Sequence, residues 1–168
     1  DNCISKFEYI YFTKRLNINF VKYFYQKLFK EKKLRNNYFI SRSDAKYRKL
    51  LNEKKIFDLI KNFNYKIVYP ENLPIIKQIK LFQNAKNIIA PHGAGLANII
   101  FSSNETKVVE LTNSFIQKDT VELLSKVMGH KFYRIEGKSI TSHQNPNFND
   151  FFIDENYLKN VINLYNVK

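Results

Sequence analysis

The stretch Ala90-Pro91-His92-Gly93-Ala94-Gly95-Leu96-Ala97-Asn98 is the clearest sign of how this chain folds. It follows the apolar run Asn87-Ile88-Ile89 and leads into a second apolar run that ends at Phe101. That order predicts a strand, a glycine-containing turn and a helix. Backbone N–H groups and a helix N-terminus at such a turn can bind an anion, most often a phosphate. We therefore interpret the turn as a ligand site; the alternative is that its glycines only let the strand and helix pack.

Apolar runs and helical stripes alternate on both sides of this turn. The predicted strands lie at residues 38–40, 65–69, 87–90, 107–111 and 131–135. The predicted helices lie at residues 16–30, 56–63, 75–82, 96–101, 121–128 and 157–165, with Gly129 as a C-terminal cap. Residues 137–150 are polar and are expected to form a loop. The alternation is typical of an α/β fold with a doubly wound, mostly parallel Rossmann-like sheet.

The chain shows no internal repeat, linker or shift in composition. We therefore expect residues 1–168 to form a single Rossmann-like domain. Because the chain begins at Asp1 and its only methionine is Met128, we also expect it to be one piece of a longer protein.

Charged side chains follow the predicted strands at the edge where ligands of such sheets bind. Arg42 comes directly after a buried strand, an unfavourable place for a guanidinium unless it has an anionic partner. That partner is either a phosphate or the carboxylate of Asp44 or Glu71. We expect Arg48 and Lys49, in the following segment, to be solvated.

Two further residues are candidates for the site. Glu110 lies in an apolar strand, where a carboxylate needs a partner; beside a nucleotide it would accept ribose hydroxyls, and the alternative is a partly exposed edge residue. His92 is the one catalytic candidate, because a histidine titrates near neutral pH and can donate to a substrate or act as a base. A structural histidine is the alternative. The absence of a G-x-S-x-G pattern argues against a serine hydrolase.

Composition limits the classes of ligand and partner that the chain is expected to bind. The net charge of +13 suits anionic ligands, but the lysines are dispersed and accompany Asn, Ile, Phe and Tyr, as in A/T-rich genomes. We therefore expect no specific nucleic-acid partner. No apolar run approaches the roughly 20 residues of a membrane span. Three scattered histidines and the lone Cys3 give no metal-ligand spacing and no internal disulfide. We expect a cytoplasmic location, with the ER or Golgi lumen as the alternative for a eukaryotic protein with a signal or anchor.

Two linked blocks of sequence resemble glycosyltransferase family 61. The run Tyr38-Phe39-Ile40-Ser41-Arg42-Ser43-Asp44-Ala45, followed by Arg48 and Leu51-Asn52-Glu53, is similar to the family's "YISR-x-DA…R-x-L-x-NE" block. The run from Leu81 to Asn98, followed by Phe101 and Val109-Glu110-Leu111, is similar to its second block. The order and spacing agree over about residues 38–111.

The resemblance implies a GT-B transferase with two Rossmann-like halves, of which this chain is similar to the C-terminal, nucleotide-sugar-binding half. It implies transfer of a sugar, with inversion, from a nucleotide-sugar donor (typically a UDP-sugar) to a hydroxyl of a glycan, polysaccharide or protein. No metal or other cofactor is implied. The chain is short for such an enzyme, so the acceptor-binding half, and the general base with it, is expected to lie outside it.

The resemblance also implies roles for individual residues, which are assigned by their positions in the two sequence blocks. The residues that the resemblance places at the diphosphate are Ser41, Arg42, His92, Gly93, Ala94 and Gly95. Asn98 would support that turn, and Glu110 would meet the ribose or the base side. The alternatives are a non-catalytic module that binds a nucleotide or nucleotide-sugar and, further off, a basic nucleic-acid-binding domain.

Overall fold

A computed structural model describes residues 36–115 and 119–166. The predicted helix at residues 16–30 lies outside these ranges. The strands are β1 (Asn36–Ile40), β2 (Tyr65–Val68), β3 (Ala85–Pro91), β4 (Lys107–Asn113), β5 (Lys131–Ser139) and β6 (Phe151–Phe152). The α-helices are α1 (Glu53–Ile60), α2 (Ile75–Gln83), α3 (Thr120–Met128) and α4 (Glu155–Asn166). The 3-10 helices are Lys61–Phe63, Pro70–Asn72, Ala94–Phe101 and Pro146–Phe148.

The strands form one sheet in the order β2-β1-β3-β4-β5-β6. The first five strands are parallel, and β6 is antiparallel to β5. From β1 the chain moves outward to β2 and then returns to the other side of β1 to form β3. This reversal creates a topological switch point between β1 and β3. The predicted α/β fold with a doubly wound, mostly parallel Rossmann-like sheet is confirmed.

Each face of the sheet is covered by helices, because neighbouring strand residues point to opposite sides. Phe39 and Ile89 pack in the cluster that includes residues of α1 and α4. Ile40 and Ile88 pack on the other face in the cluster that includes residues of α2, α3 and the 3-10 helix Ala94–Phe101. All four side chains are at most 1% exposed, and burying each contributes about 1.5–3 kcal/mol.

The prediction of a loop at residues 137–150 is wrong for residues 137–139, which belong to a strand. β5 continues to Ser139, and its last residues pair with β6, so that Lys138 faces Phe152 and Ser139 faces Phe151. A strand of two residues leaves no periodic pattern in the sequence, and its pairing depends on contacts made far along the chain. Gly129 has the left-handed backbone of the predicted C-terminal cap, with φ 78°.

The loop that follows β1 lies beside the loop that follows β5. The backbone N–H of Arg48 donates to the Phe148 carbonyl at 3.2 Å. The amide of Asn52 donates to the Ile153 carbonyl at 2.8 Å and accepts from the Ile153 N–H at 3.2 Å. These bonds join two segments about a hundred residues apart in sequence. They hold the segment that follows β5 beside the segment that follows β1.

Gly137 is the close-packed point of the β5–β6 pairing. A Cβ there would collide with the Phe152 carbonyl oxygen and would lie 2.9 Å from side-chain atoms of Ile153 and Phe151. We expect Gly137→Ala to lower the free energy of unfolding by about 2 kcal/mol in a urea titration, as overpacking does. Gly95→Ala is the control, because its Cβ would lie 3.7 Å from Ile40 Cγ2, an ordinary contact. Equal losses in the two variants would contradict this account of Gly137.

Candidate functional site

The carboxyl ends of β1 and β3 bring two parts of the sequence together. Ser41 and Arg42 follow β1, and His92 and Gly93 follow Pro91, the last residue of β3. In open α/β sheets a crevice forms at this place, because the connections on its two sides lead to opposite faces of the sheet. The residues that the sequence assigned to one site are therefore neighbours.

The Arg42 side chain lies across the glycine turn. Its Nη1 donates a hydrogen bond to the carbonyl oxygen of His92. A Cβ on Gly93 would collide with the Arg42 guanidinium, whose Nε would be 2.8 Å away. The φ of Gly93 is 168°, an extended conformation open to any residue. Glycine is therefore needed here for space and not for backbone freedom.

Ser41 and Arg42 are held by the first residue of α1. The Ser41 hydroxyl donates to Glu53 Oε1 at 2.5 Å, and the backbone N–H of Arg42 donates to Glu53 Oε2 at 3.3 Å. Glu53 thus fixes the end of β1 against α1. Glu53 is part of the first sequence block, but nothing local in the sequence indicates that its carboxylate turns back to Ser41.

Arg42 and Arg48 form a pair of half-buried cations. Burial lowers the pKa of Arg42, and the charge of Arg48 lowers it further, while Asp44 and Glu53 act in the opposite direction. Burial also lowers the pKa of Arg48. Within residues 36–115 and 119–166, neither guanidinium forms an ion pair with a carboxylate. The charge of the pair is therefore only partly offset, because the nearby Asp44 and Glu53 form no ion pair with either guanidinium in these ranges.

The expectation that Arg48 is solvated is wrong. Its side chain is half-buried, and its Nε is buried without a hydrogen-bond partner in the described part of the chain. Its backbone is left-handed, with φ 58°, which costs a non-glycine residue about 1–3 kcal/mol. The guanidinium lies over the Phe148 ring, 5.9 Å from its centroid. Phe148 is distant in sequence, so local polarity could not reveal this burial; Lys49 is exposed as expected.

His92, Glu110 and Arg134 form a chain of side chains that runs from the residue after β3 through β4 to β5; His92 and Glu110 are buried, and Arg134 is half-buried. His92 Nδ1 and Glu110 Oε1 are 2.6 Å apart, and Arg134 Nε donates to Glu110 Oε2 at 2.8 Å. The register of the sheet produces this, because Glu110 of β4 stands opposite Arg134 of β5. Glu110 is 0% exposed, so the alternative of a partly exposed edge residue is wrong. Its contact with a ribose stays a prediction.

Asn98 connects the turn to α2. Its amide donates to Gln78 Oε1 at 2.8 Å, and the Gln78 amide donates to the carbonyls of Pro70 and Leu73, each at 2.9 Å. Asn98 therefore anchors the 3-10 helix Ala94–Phe101 to the loop that follows β2. A supporting role for Asn98 at a bound diphosphate stays a prediction.

Comparison with known families gives one match. The sequence model of the family described as Glycosyltransferase 61 matches residues 3–109. The chain belongs to glycosyltransferase family 61. No curated protein sequence matches it. The family match contains Arg42, Arg48 and the glycine turn; Glu110 is the first residue after it, and Arg134 lies further along the chain. It confirms the family that the two sequence blocks indicated.

Two negative findings apply to the described part of this family 61 chain. Residues 36–115 and 119–166 contain no group of three His, Cys, Asp or Glu side chains arranged to hold a metal ion. Within the same ranges, no helix combines the length and the apolar character needed to cross a membrane.

Proposed function

We propose that this member of family 61 binds a nucleotide-sugar, a UDP-sugar, in the crevice between β1 and β3, and that it is the donor-binding half of a GT-B glycosyltransferase. One observation carries the proposal: at the switch point the half-buried Arg42 lies across the glycine turn, with the half-buried Arg48 near it, and neither forms an ion pair with a carboxylate in the described ranges. A diphosphate is a ligand whose charge fits this arrangement.

The diphosphate is proposed to take its hydrogen bonds from Arg42 and Arg48 and from the turn Gly93–Gly95. Each bond between a charged group and a donor contributes about 1.5–3 kcal/mol. The 3-10 helix that begins at Ala94 directs the positive end of its dipole towards the same place. Ser41, which is bonded to Glu53, shapes the end of β1 and keeps Arg42 in position.

His92 is proposed to contact the leaving phosphate through Nε2. Its Nδ1 is held by Glu110, and Nε2 has no hydrogen-bond partner among the described residues. Arg134 fixes the other oxygen of Glu110, so the imidazole ring has one orientation. A hydrogen bond from Nε2 would stabilise the phosphate oxygen on which charge develops as the bond to the sugar breaks. Glu110 in this account positions His92.

The proposed reaction is a direct displacement with inversion. The acceptor hydroxyl attacks the anomeric carbon from the face opposite the diphosphate, loses its proton to a general base, and the nucleoside diphosphate leaves. Charge on the leaving group is met by Arg42, Arg48 and backbone N–H groups, which can replace a metal ion in this role. The general base is proposed to belong to the acceptor-binding part of the enzyme.

Calorimetry with UDP, UMP and single-stranded RNA tests the proposal. We expect UDP to bind at least about tenfold more tightly than UMP, since only UDP offers a second phosphate to the two arginines. Binding of RNA that weakens with salt, without any response to UDP, would contradict a donor site. Release of sugar from a UDP-sugar by the full-length protein then separates an enzyme from a module that only binds the nucleotide.

A further inference from the structure

Three aromatic rings lie together beside the arginine pair. We refer to Tyr47, His143 and Phe148 as the ring cluster. The centroids of Tyr47 and His143 are 5.1 Å apart, and the centroid of Phe148 is 5.2 Å from each of them. All three side chains are half-buried, and none belongs to the two hydrophobic cores. The ring cluster is therefore a partly exposed group of aromatic side chains outside the two cores.

Arg48 joins the ring cluster to the proposed diphosphate site. Its guanidinium lies over the Phe148 ring, and its charge is close enough to Arg42 to lower the pKa of that residue. If both arginines bind the phosphates of a ligand, the group attached to the phosphate at Arg48 lies against the rings. In a nucleoside diphosphate, that group is the nucleoside.

We propose that the ring cluster is the subsite for the nucleobase of the donor, an inference that rests on the proposed function. Aromatic side chains stack on any base. His143 supplies a polar contact as well: its Nδ1 accepts the Asn145 N–H at 3.0 Å, so the neutral ring carries its proton on Nε2. That N–H has no partner in the described part of the chain and suits a carbonyl oxygen of a pyrimidine.

The surroundings of the rings favour a base over a sugar. Asn149 Oδ1 accepts the N–H groups of Ser142 and His143 at 3.1 and 3.0 Å. Asp150 Oδ1 accepts the Lys49 N–H, and the Ser142 hydroxyl accepts the Asp150 N–H, each at 2.8 Å. These side chains are already bonded to backbone. A sugar needs a polar partner for each of several hydroxyls, whereas a base needs planar surface and one or two hydrogen bonds.

The loop that carries His143 and Phe148 is held in place before any ligand arrives. The Asn113 amide, at the end of β4, donates to the Asn149 carbonyl at 2.9 Å. One face of Tyr47 is covered by the exposed Lys46, whose Nζ is 5.3 Å from the ring centroid. Such a flexible side chain can move aside for a planar ligand, so the subsite needs little rearrangement.

Two variants test the subsite with UDP and inorganic pyrophosphate as probes in calorimetry. His143→Phe keeps a ring and removes the N–H donor, and Phe148→Leu keeps apolar volume and removes a ring. We expect each variant to bind UDP about tenfold more weakly and to bind pyrophosphate as the parent chain does. Tyr157→Phe is the control for both ligands, because Tyr157 is on α4 and pairs with Tyr133.

The other outcomes overturn the inference in distinguishable ways. Equal losses for UDP and pyrophosphate mean that the rings only shape the loop beside Arg48. Unchanged UDP affinity in both variants means that the base lies elsewhere. If the parent chain binds pyrophosphate as tightly as UDP, the subsite is refuted while the diphosphate site stands. If it binds neither, the proposed function fails together with the subsite.

Discussion

Replacing Gly93 with alanine should remove most of the affinity for UDP while leaving the fold intact. The new methyl group would occupy the place of the Arg42 guanidinium, since the three atoms nearest to it all belong to Arg42. The Gly93 backbone is extended and accepts any residue, so the expected response is a movement of the Arg42 side chain. Loss of two charge-assisted bonds of about 1.5–3 kcal/mol each would weaken binding by roughly 100-fold at the least.

A double-mutant cycle with Arg42→Ala isolates this mechanism. Arg42→Ala alone should weaken UDP binding to a similar degree, and the double variant Gly93→Ala/Arg42→Ala should bind no worse than Arg42→Ala. The two changes are then strongly non-additive, as expected when both act through one guanidinium. Calorimetry gives the affinities, and thermal unfolding verifies that each variant is folded. Additive losses would show that the Gly93 methyl group blocks the ligand itself.

The fold was largely predictable because its signals are local. Apolar runs such as that at residues 87–90 mark buried parallel strands, and the glycine at position 129 marks the end of α3. β6 could not be predicted, because its two residues are held by contacts with the distant residues Leu50 and Ser139. The strand order, and with it the switch point, is likewise set by packing that no local pattern encodes.

The candidate site was predictable only in part, for a similar reason. An arginine after a buried strand and a carboxylate inside one are conflicts with hydrophobic patterning, and both Arg42 and Glu110 could be found in that way. Arg48 and Arg134 show no such conflict, since their neighbours in sequence include polar residues. Their roles depend on Phe148 and Glu110, which the fold brings to them from a distant loop and from the next strand.

His130 should make the protein sensitive to mild acid. The residue is 8% exposed, and both ring nitrogens are buried. Burial lowers the pKa of His130 from its ordinary 6.5 to about 4, and the nearby Ser102 backbone offsets only part of that effect. The folded protein therefore keeps this ring neutral at a pH where the unfolded chain protonates it.

The sign and the pH window follow from these two values. Between pH 6.5 and pH 4 the unfolded chain binds more protons at this residue, so the free energy of unfolding falls as the pH falls. Above about pH 6.5 the ring is neutral in both states, and His130 does not lower the free energy of unfolding. That free energy falls by about 3 kcal/mol between there and the pH that equals the folded-state pKa of His130. Carboxylates whose pKa values are lowered, such as Asp58 and Glu122, lose their stabilisation at lower pH.

Urea unfolding at pH 7, 6 and 5 measures this loss. In His130→Leu we expect most of the decline between pH 7 and pH 5 to disappear, because the leucine has no proton to bind. The matched control His143→Phe should keep the decline, because this change leaves His130 in place. Ring-proton titration by nuclear magnetic resonance gives a second reading, in which the His130 signal stays unshifted down to pH 5. An unaltered decline in His130→Leu would assign the acid sensitivity to other groups. The substitution removes only the proton that His130 takes up when the chain unfolds.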